Sequence, residues 1–161
     1  MTVDLTTLAQ RVLERCRARH LMIATAESCT GGLIAGALTE IAGSSDVVER
    51  GFVTYSNAAK SELLGVPTQL IETHGAVSGA VAGAMAQGAL SRAPVDLAVS
   101  VTGIAGPGGA TPGKPVGLVW FGLARRGETV RTEHHVFSGG RTAVRRATVA
   151  RALELLAEAA Q

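Results

Sequence analysis

The chain alternates between short apolar runs and longer segments whose apolar positions recur at helical spacing. Five runs predict β-strands: LMIAT (21–25), GFVTYS (51–56), VDLAVSVT (95–102), PVGLVWFGLA (115–124) and ETVRTEHHVF (128–137). Helices are predicted for the N-terminal 20 residues, for 33–43, for the small-residue segment 78–90 and for 141–159. The last two strands are separated only by RRG, which predicts an antiparallel hairpin. The other strands are joined through helices, so we expect a mixed sheet covered on both faces.

Composition and charge narrow the class of protein. A chain of 161 residues that is 47% hydrophobic is expected to form one domain, residues 1–161. The net charge of +2 and the 3% aromatic content provide no stacking platform for nucleic acid. The uncharged run between His74 and Arg92 is short and diluted by glycine, so it predicts a buried helix and not a membrane span.

The N-terminus and the cysteines indicate a compartment. The first 20 residues lack the charged-then-apolar order of a signal peptide and instead carry a helical apolar stripe. Cys16 and Cys29 have no paired spacing that would suit zinc, and we expect reduced thiols. These features predict a cytoplasmic protein.

The segment TAESCTGG (25–32) lies where a strand passes to a helix, and we call it the elbow. Ser28 is expected at or just before the helix N-terminus, where free backbone N–H groups favour developing negative charge. That position suits a nucleophile and its oxyanion hole. The alternative is that Ser28 or Thr30 only caps the helix while the glycines make the turn.

A serine nucleophile needs a base, and YSNAAK (55–60) supplies a candidate. Tyr55 ends the second predicted strand, so it should lie on the same rim of the sheet as the elbow, and Lys60 falls in the first turn of the next helix. A partly desolvated lysine can act as the base for a serine. The alternative is a surface lysine beside Glu62. The histidines offer no base and are expected to be structural or solvated: His20, His74, His134 and His135.

Two further segments favour an anionic ligand. TGIAGPGGATPGKP (102–115) is rich in glycine and can present N–H groups to an anion. Its GGATPGKP matches most of a nucleotide-binding loop, but Pro115 replaces the magnesium-binding hydroxyl and a strand follows, which excludes that class. FSGGRTAVRR places Arg141, Arg145 and Arg146 at the start of the last helix, where arginine suits phosphate or carboxylate. The alternatives are an ordered loop without ligand and a solvated basic face.

Six strings occur in a fixed order and carry a resemblance: TAESCTGG, GSSDVVERGFVTYSNAAKSELLGV, HGAVS, SVTGIAGPGG, KPVGLVWFGLA and FSGGRTAVR. From about residue 5 to the C-terminus the chain resembles the CinA C-terminal domain family of nicotinamide mononucleotide deamidases. The resemblance implies an α/β fold, a three-layer α/β/α sandwich with a mixed five-stranded sheet. It also implies hydrolysis of nicotinamide mononucleotide to nicotinic acid mononucleotide and ammonia, with no metal and no cofactor.

The resemblance also implies roles for individual residues. Ser28 would be the nucleophile and Lys60 its base, Tyr55 would orient or assist the pair, and Thr102 would line the site. We expect the ribose phosphate to lie against Arg141, Arg145 and the glycine-rich loop. The full set of expected substrate-binding residues is Thr102, Gly103, Gly106, Arg141, Arg145, Glu27, Thr30 and Gly31.

Two positions depart from the expected family pattern, since this chain has Gly140 and Gly79 where we expect acids. If the acid expected at either position orients the arginines or a subunit contact, its absence would change the binding of the phosphate or the assembly. A homo-oligomer packed through residues 78–90 is expected. Two other functions stay open: a non-catalytic module that binds a nucleotide or a protein, and an amidase for another carboxamide.

Overall fold

The apolar runs form one mixed five-stranded sheet in the computed structural model, which describes residues 4–161. The strands are β1 (Ile23–Glu27), β2 (Val48–Val53), β3 (Leu97–Gly103), β4 (Leu118–Arg125) and β5 (Arg131–Val136), in the order β2-β1-β3-β4-β5. β2, β1 and β3 run parallel, while β4 and β5 are antiparallel to their neighbours. The predicted fold class and terminal hairpin are confirmed.

Strand boundaries differ from the prediction mainly around the elbow. β1 extends through Glu27, and β2 ends at Val53, three residues earlier than predicted, because Glu27 pairs with Val53 at the end of the β1–β2 register. Ser56 instead caps the following helix by accepting a hydrogen bond from the amide of Ala59. Thr54 and Tyr55 thus become a short connection at the rim of the sheet.

Helices cover both faces of this sheet. In the described residues they are α1 (Leu5–Ala18), α2 (Leu33–Thr39), α3 (Asn57–Leu64), α4 (Thr68–His74), α5 (Gly79–Arg92) and α6 (Arg141–Ala159). One apolar cluster joins α1, α2 and α6 to one face of the sheet, and a second joins α3, α4 and α5 to the other. The predicted helix at 33–43 ends at Thr39, and a single 3-10 turn follows at Ser44–Asp46.

The small-residue helix α5 packs closely on the sheet. The hydroxyl of Ser100 donates to the carbonyl oxygen of Ala82 at 2.6 Å, and a methyl group at Gly122 would overlap the same oxygen. The sheet face below α5 is built from small side chains such as Ala24 and Ala98. Most small residues of α5 are buried within the subunit, which leaves little of this helix for the expected contact between subunits. No helix among residues 4–161 has the length and apolar character needed to span a bilayer.

Candidate active site

The carboxyl ends of the three parallel strands open onto a common cavity. β1 leads into Ser28, β2 leads into Tyr55 and β3 ends at Gly103, so the rim carries segments far apart in sequence. The cavity has a volume of about 270 Å³. Seven of the predicted site residues line it: Ser28, Tyr55, Lys60, Thr102, Gly103, Gly106 and Arg141.

Lys60 is buried at the back of this cavity and contacts Ser28. Its Nζ lies 3.0 Å from Ser28 Oγ, and it also donates to the carbonyl oxygens of Thr54 at 3.1 Å and Tyr55 at 3.3 Å. Lys60 is 1% exposed and Ser28 is 8% exposed. The alternative of a surface lysine beside Glu62 is wrong, because α3 turns this side chain inward.

Burial and hydrogen bonding together suit Lys60 to proton transfer. Burial lowers the pKa of the Lys60 ammonium below its ordinary value of 10.5, because the charged form loses its hydration. An ammonium can donate to all three oxygen neighbours. A neutral amine can donate to the Thr54 and Tyr55 carbonyls while its lone pair accepts the proton of Ser28. The two carbonyls therefore orient the amine in either state.

The elbow is built differently from the prediction. Helix α2 begins at Leu33, five residues after Ser28, and its N-cap is Gly32, which has no side chain to cap with. Neither Ser28 nor Thr30 caps it. Gly31 and Gly32 have φ angles of 58° and 108°, which glycine adopts without strain. Ser28 itself is fixed to the sheet, because its amide donates to the carbonyl oxygen of Val101 at 3.1 Å.

The first-turn amides of α2 are already used by Glu27. This carboxylate is fully buried, and it accepts hydrogen bonds from the amides of Gly32, Ile34 and Ala35 at 2.9 to 3.2 Å. The expectation that the N-terminus of α2 holds an oxyanion is therefore wrong for these three amides, because they already donate to Glu27. The amide of Gly31 donates instead to the carbonyl oxygen of Ser28.

Four predicted binding residues do not line the cavity. Glu27, Thr30 and Gly31 lie inside the elbow, and Thr30 donates its hydroxyl to Glu27 at 2.5 Å. Arg145 donates to the carbonyl oxygens of Cys29 and Thr30 at 3.1 and 3.2 Å. It faces a separate cavity of about 430 Å³ between α1, α2 and α6. These side chains support the elbow from behind.

Arg141 and the glycine-rich loop form the outer end of the cavity. Arg141 donates to the carbonyl oxygen of Gly106 at 2.8 Å, and its Nη2 lies 3.4 Å from the hydroxyl of Tyr55. Tyr55 is 63% exposed, so its ring stands at the mouth while its carbonyl contacts Lys60. Thr102 donates its hydroxyl to the carbonyl oxygen of Ala76 at 2.9 Å and thereby ties β3 to the opposite wall.

Thiols and imidazoles play a smaller part. Cys29 lines the cavity, but burial raises the pKa of its thiol to about 11, so the thiol is protonated at neutral pH. None of the residues that line the cavity is a histidine. Among residues 4–161, no group of three or more His, Cys, Asp or Glu side chains is placed to hold a metal ion.

Sequence reasoning missed the backbone partners of the site. The carbonyl oxygens of Thr54 and Tyr55 carry no signal in residue identity, although both stand five or six residues before Lys60. Lys114 was also missed as a link: its Nζ donates to the carbonyl oxygen of His74 at 2.6 Å, which ties the glycine-rich loop to the end of α4.

Comparisons with known proteins identify the family of this chain. The family model described as the CinA C-terminal domain matches residues 5–160. The chain belongs to the CinA C-terminal domain family. A relative in Escherichia coli (strain K12), "Nicotinamide-nucleotide amidohydrolase PncC", is 51% identical over 154 residues, which cover 95% of this chain and 93% of the relative. A "Putative competence-damage inducible protein" of Caldicellulosiruptor bescii is 49% identical over 96% of this chain but only 37% of its own length.

Solved structures of the CinA superfamily share the fold over the whole chain. The competence/damage inducible protein CihA from Agrobacterium tumefaciens has a TM-score of 0.96 and 52% sequence identity, covering 100% of this chain and 98% of that one. The family resemblance in the sequence is therefore confirmed at the level of fold.

The two glycines that depart from the expected CinA pattern lie at helix starts. Gly79 opens α5 directly beneath Trp120, and a Cβ there would lie 2.9 Å from the Trp120 ring. An acidic side chain at this position would therefore displace the indole. Gly140 is the N-cap of α6. It has no side chain that could accept hydrogen bonds from the first-turn amides of α6, which lie next to Arg141.

Proposed function

We propose that this chain is a cytoplasmic nicotinamide-nucleotide amidohydrolase, which converts nicotinamide mononucleotide and water to nicotinic acid mononucleotide and ammonia. The contact between Ser28 Oγ and Lys60 Nζ at 3.0 Å inside a cavity is the observation that carries the proposal. The name of the 51% identical E. coli relative supports the substrate. No metal or cofactor enters the proposed reaction.

In the proposed first step, Ser28 attacks the carboxamide carbon while the neutral Lys60 amine takes the hydroxyl proton. The resulting ammonium keeps its two bonds to the carbonyl oxygens of Thr54 and Tyr55. Its third N–H then points to the position of the departing nitrogen. When the C–N bond breaks, Lys60 returns the proton, ammonia leaves and an acyl-enzyme ester remains on Ser28.

Water completes the cycle in a second step. Neutral Lys60 takes a proton from water, the hydroxide adds to the ester carbon, and the C–O bond to Ser28 breaks as Lys60 protonates Ser28 Oγ. The negative charge of each tetrahedral intermediate needs a donor. We assign this role to the backbone N–H of Cys29, which follows the nucleophile and lines the cavity. The amides of Gly32, Ile34 and Ala35 donate to Glu27 instead, and the amide of Gly31 donates to the carbonyl oxygen of Ser28.

The ribose phosphate is proposed to lie at the outer end of the cavity. Arg141 and the glycine-rich loop at Gly103 and Gly106 meet there, and the ring of Tyr55 borders the mouth. Arg141 gives a planar fork of donors suited to phosphate. Tyr55 and Thr102 are proposed to order the site through their hydrogen bonds to Lys60 and to Ala76.

Self-association stays a prediction. Because α5 packs within the subunit, self-association would require another surface. Leu33 and Val53 are candidates for that surface, because both are exposed apolar side chains next to Gly32 in the elbow. Sedimentation at micromolar concentration measures the subunit number. A monomer under those conditions would contradict the prediction.

The decisive experiment measures ammonia and nicotinic acid mononucleotide in the presence of a chelator, for the wild type and for Ser28→Ala and Lys60→Met. We expect product from the wild type and none from either folded variant. Ser91→Ala is the matched control, because Ser91 does not line the cavity and donates to the carbonyl oxygen of Gly88 near the end of α5. Activity that survives Ser28→Ala would mean another nucleophile.

The two other functions predict different results in the same assay. A binding module would retain a nucleotide without releasing ammonia. An amidase for another carboxamide would release ammonia from that substrate and would not require the 5'-phosphate.

A further inference from the structure

Glu27 is a buried carboxylate that no step of the proposed reaction uses. It is the last residue of β1, it directly precedes the nucleophile, and it is fully buried. Burying a carboxylate is costly unless hydrogen bonds replace its hydration. We therefore asked which groups replace the hydration of Glu27 and what these contacts do for the site.

Four hydrogen bonds converge on this carboxylate. Oε1 accepts from the hydroxyl of Thr30 at 2.5 Å and from the amides of Gly32 and Ile34 at 3.2 and 2.9 Å. Oε2 accepts from the amide of Ala35 at 3.0 Å. Glu27 thus does for α2 what an N-cap side chain does elsewhere, because Gly32 has none. The donors lie on both sides of the turn that carries Ser28 into the helix.

Arg145 holds the same turn from the other side. Its guanidinium donates to the carbonyl oxygens of Cys29 and Thr30, the two residues that follow the nucleophile. Three amides and one hydroxyl of the elbow and the start of α2 therefore donate to a carboxylate, and two carbonyl oxygens of the elbow accept from a guanidinium. Gly31 and Gly32 lack side chains, so these external groups restrict a turn that would otherwise be pliable.

We propose that Glu27 is a positioning residue, which holds Ser28 Oγ in line with Lys60 Nζ without touching the substrate. This inference rests on the proposed Ser28/Lys60 pair, and it reassigns Glu27 from substrate binding to shaping the nucleophile turn. A shift of about 1 Å in a reacting group can cost on the order of 100-fold in rate. Loss of the Glu27 bonds should therefore lower the reactivity of Ser28 more than it lowers substrate affinity.

The test measures the nucleophilicity of Ser28 directly. Purified full-length wild type and Glu27→Gln are treated with phenylmethylsulfonyl fluoride, and the rate of labelling at Ser28 is followed by mass spectrometry. In Glu27→Gln the side-chain NH₂ faces the amide of Ala35, so one bond is lost and the carboxylate charge is removed. We expect labelling and kcat to fall about 10- to 100-fold, with KM for nicotinamide mononucleotide within about twofold of wild type.

Glu133→Gln is the matched control, because Glu133 is also a hydrogen-bonded carboxylate but lies on the edge strand β5, where it contacts Arg151 of α6. Both variants should melt at a lower temperature than the wild type, and only Glu27→Gln should label slowly. A folded Glu27→Gln that labels within twofold of wild type would overturn the proposal.

If Glu27→Gln does not fold, two variants at Thr30 decide the matter. Thr30→Val removes the 2.5 Å bond to Glu27 at nearly constant volume, and Thr30→Ser retains a hydroxyl. Slow labelling in the valine variant with recovery in the serine variant supports the proposal, and wild-type labelling in the valine variant overturns it.

The labelling assay also separates this inference from the proposed function. A wild type that labels at Ser28 but releases no ammonia from nicotinamide mononucleotide would remove the substrate assignment and leave the role of Glu27 to be decided by the variants. A wild type whose Ser28 does not label would overturn both.

Discussion

Arg141 offers the sharpest test of how the substrate is oriented. Its guanidinium borders the cavity, uses one donor on the carbonyl oxygen of Gly106 at 2.8 Å, and only approaches the Tyr55 hydroxyl, at 3.4 Å. A guanidinium carries five N–H donors, so several remain for a ligand. If these donors hold the 5'-phosphate, Arg141→Ala should weaken binding of nicotinamide mononucleotide and spare its phosphate-free riboside.

The size of the effect follows from the geometry. A hydrogen bond to a charged group contributes about 1.5–3 kcal/mol, and a bidentate contact to phosphate comprises two of them. Arg141 is solvent-exposed, so we take the range of a single such bond for the pair as a whole. A total loss of about 1.5–3 kcal/mol corresponds to an increase in KM of about 10- to 150-fold.

The assay compares kcat/KM for the mononucleotide and the riboside in wild type, Arg141→Ala and Lys114→Ala. We expect the wild type to prefer the mononucleotide and Arg141→Ala to lose most of that preference. Lys114→Ala should keep it, because Lys114 does not line the cavity and donates to the carbonyl oxygen of His74. The reasoning fails if KM for the mononucleotide is unchanged in Arg141→Ala, or if the riboside is slowed equally.

Three further outcomes follow from other contacts. kcat/KM should rise with pH through the pKa of Lys60, because only the neutral amine can accept the serine proton. Burial holds this pKa below 10.5, and a pH-independent rate would contradict the prediction. The pKa of Glu133 is lowered from 4.5 to about 2, chiefly by its hydrogen bond to Arg151. The carboxylate should therefore contribute at most about 3 kcal/mol to the free energy of unfolding above pH 4.5, and this contribution should be lost as the pH falls towards 2. Urea unfolding of Glu133→Gln at pH 7 and pH 3 measures the contribution, and equal losses at both would refute it. Gly79→Asp should destabilise the fold by about 1–3 kcal/mol through overlap with Trp120, and Trp120→Leu should recover part of the loss in thermal unfolding.

The approach of Ser28 and Lys60 could be predicted because it follows from topology. Parallel neighbours β1 and β2 end at one rim, so residues just beyond both ends must meet there. Predicting this contact required no knowledge of side-chain packing. The burial of Lys60 did need it, since a lysine in the first turn of a helix is usually solvated, and only the packing of α3 against α5 turned it inward.

The inside of the elbow could not be predicted for a different reason. Local rules assign an N-cap to a serine or threonine close to the helix, and both Ser28 and Thr30 fit that rule in sequence. Here a glutamate from the preceding strand takes the capping role, which requires the whole turn to fold back over Glu27. Arg145 was expected to bind an anion because arginine beside a helix start suits one, but the nearest acceptors were the carbonyl oxygens of the elbow.

These corrections explain how the site can hold a neutral amine beside a serine. Lys60 is kept out of water by the close packing around α3. Among residues 4–161, its hydrogen-bond partners are a hydroxyl and two carbonyls, and none of these carries a charge that would stabilise the ammonium. Glu27, the nearby carboxylate on β1, accepts hydrogen bonds from backbone amides and from the hydroxyl of Thr30 inside the elbow. If Glu27 faced Lys60 instead, the ion pair would raise the pKa of the amine and remove its capacity as a base. In the proposed mechanism, these separate sets of hydrogen bonds allow the carboxylate of Glu27 to lie next to the serine nucleophile without forming an ion pair with the lysine that would act as the base.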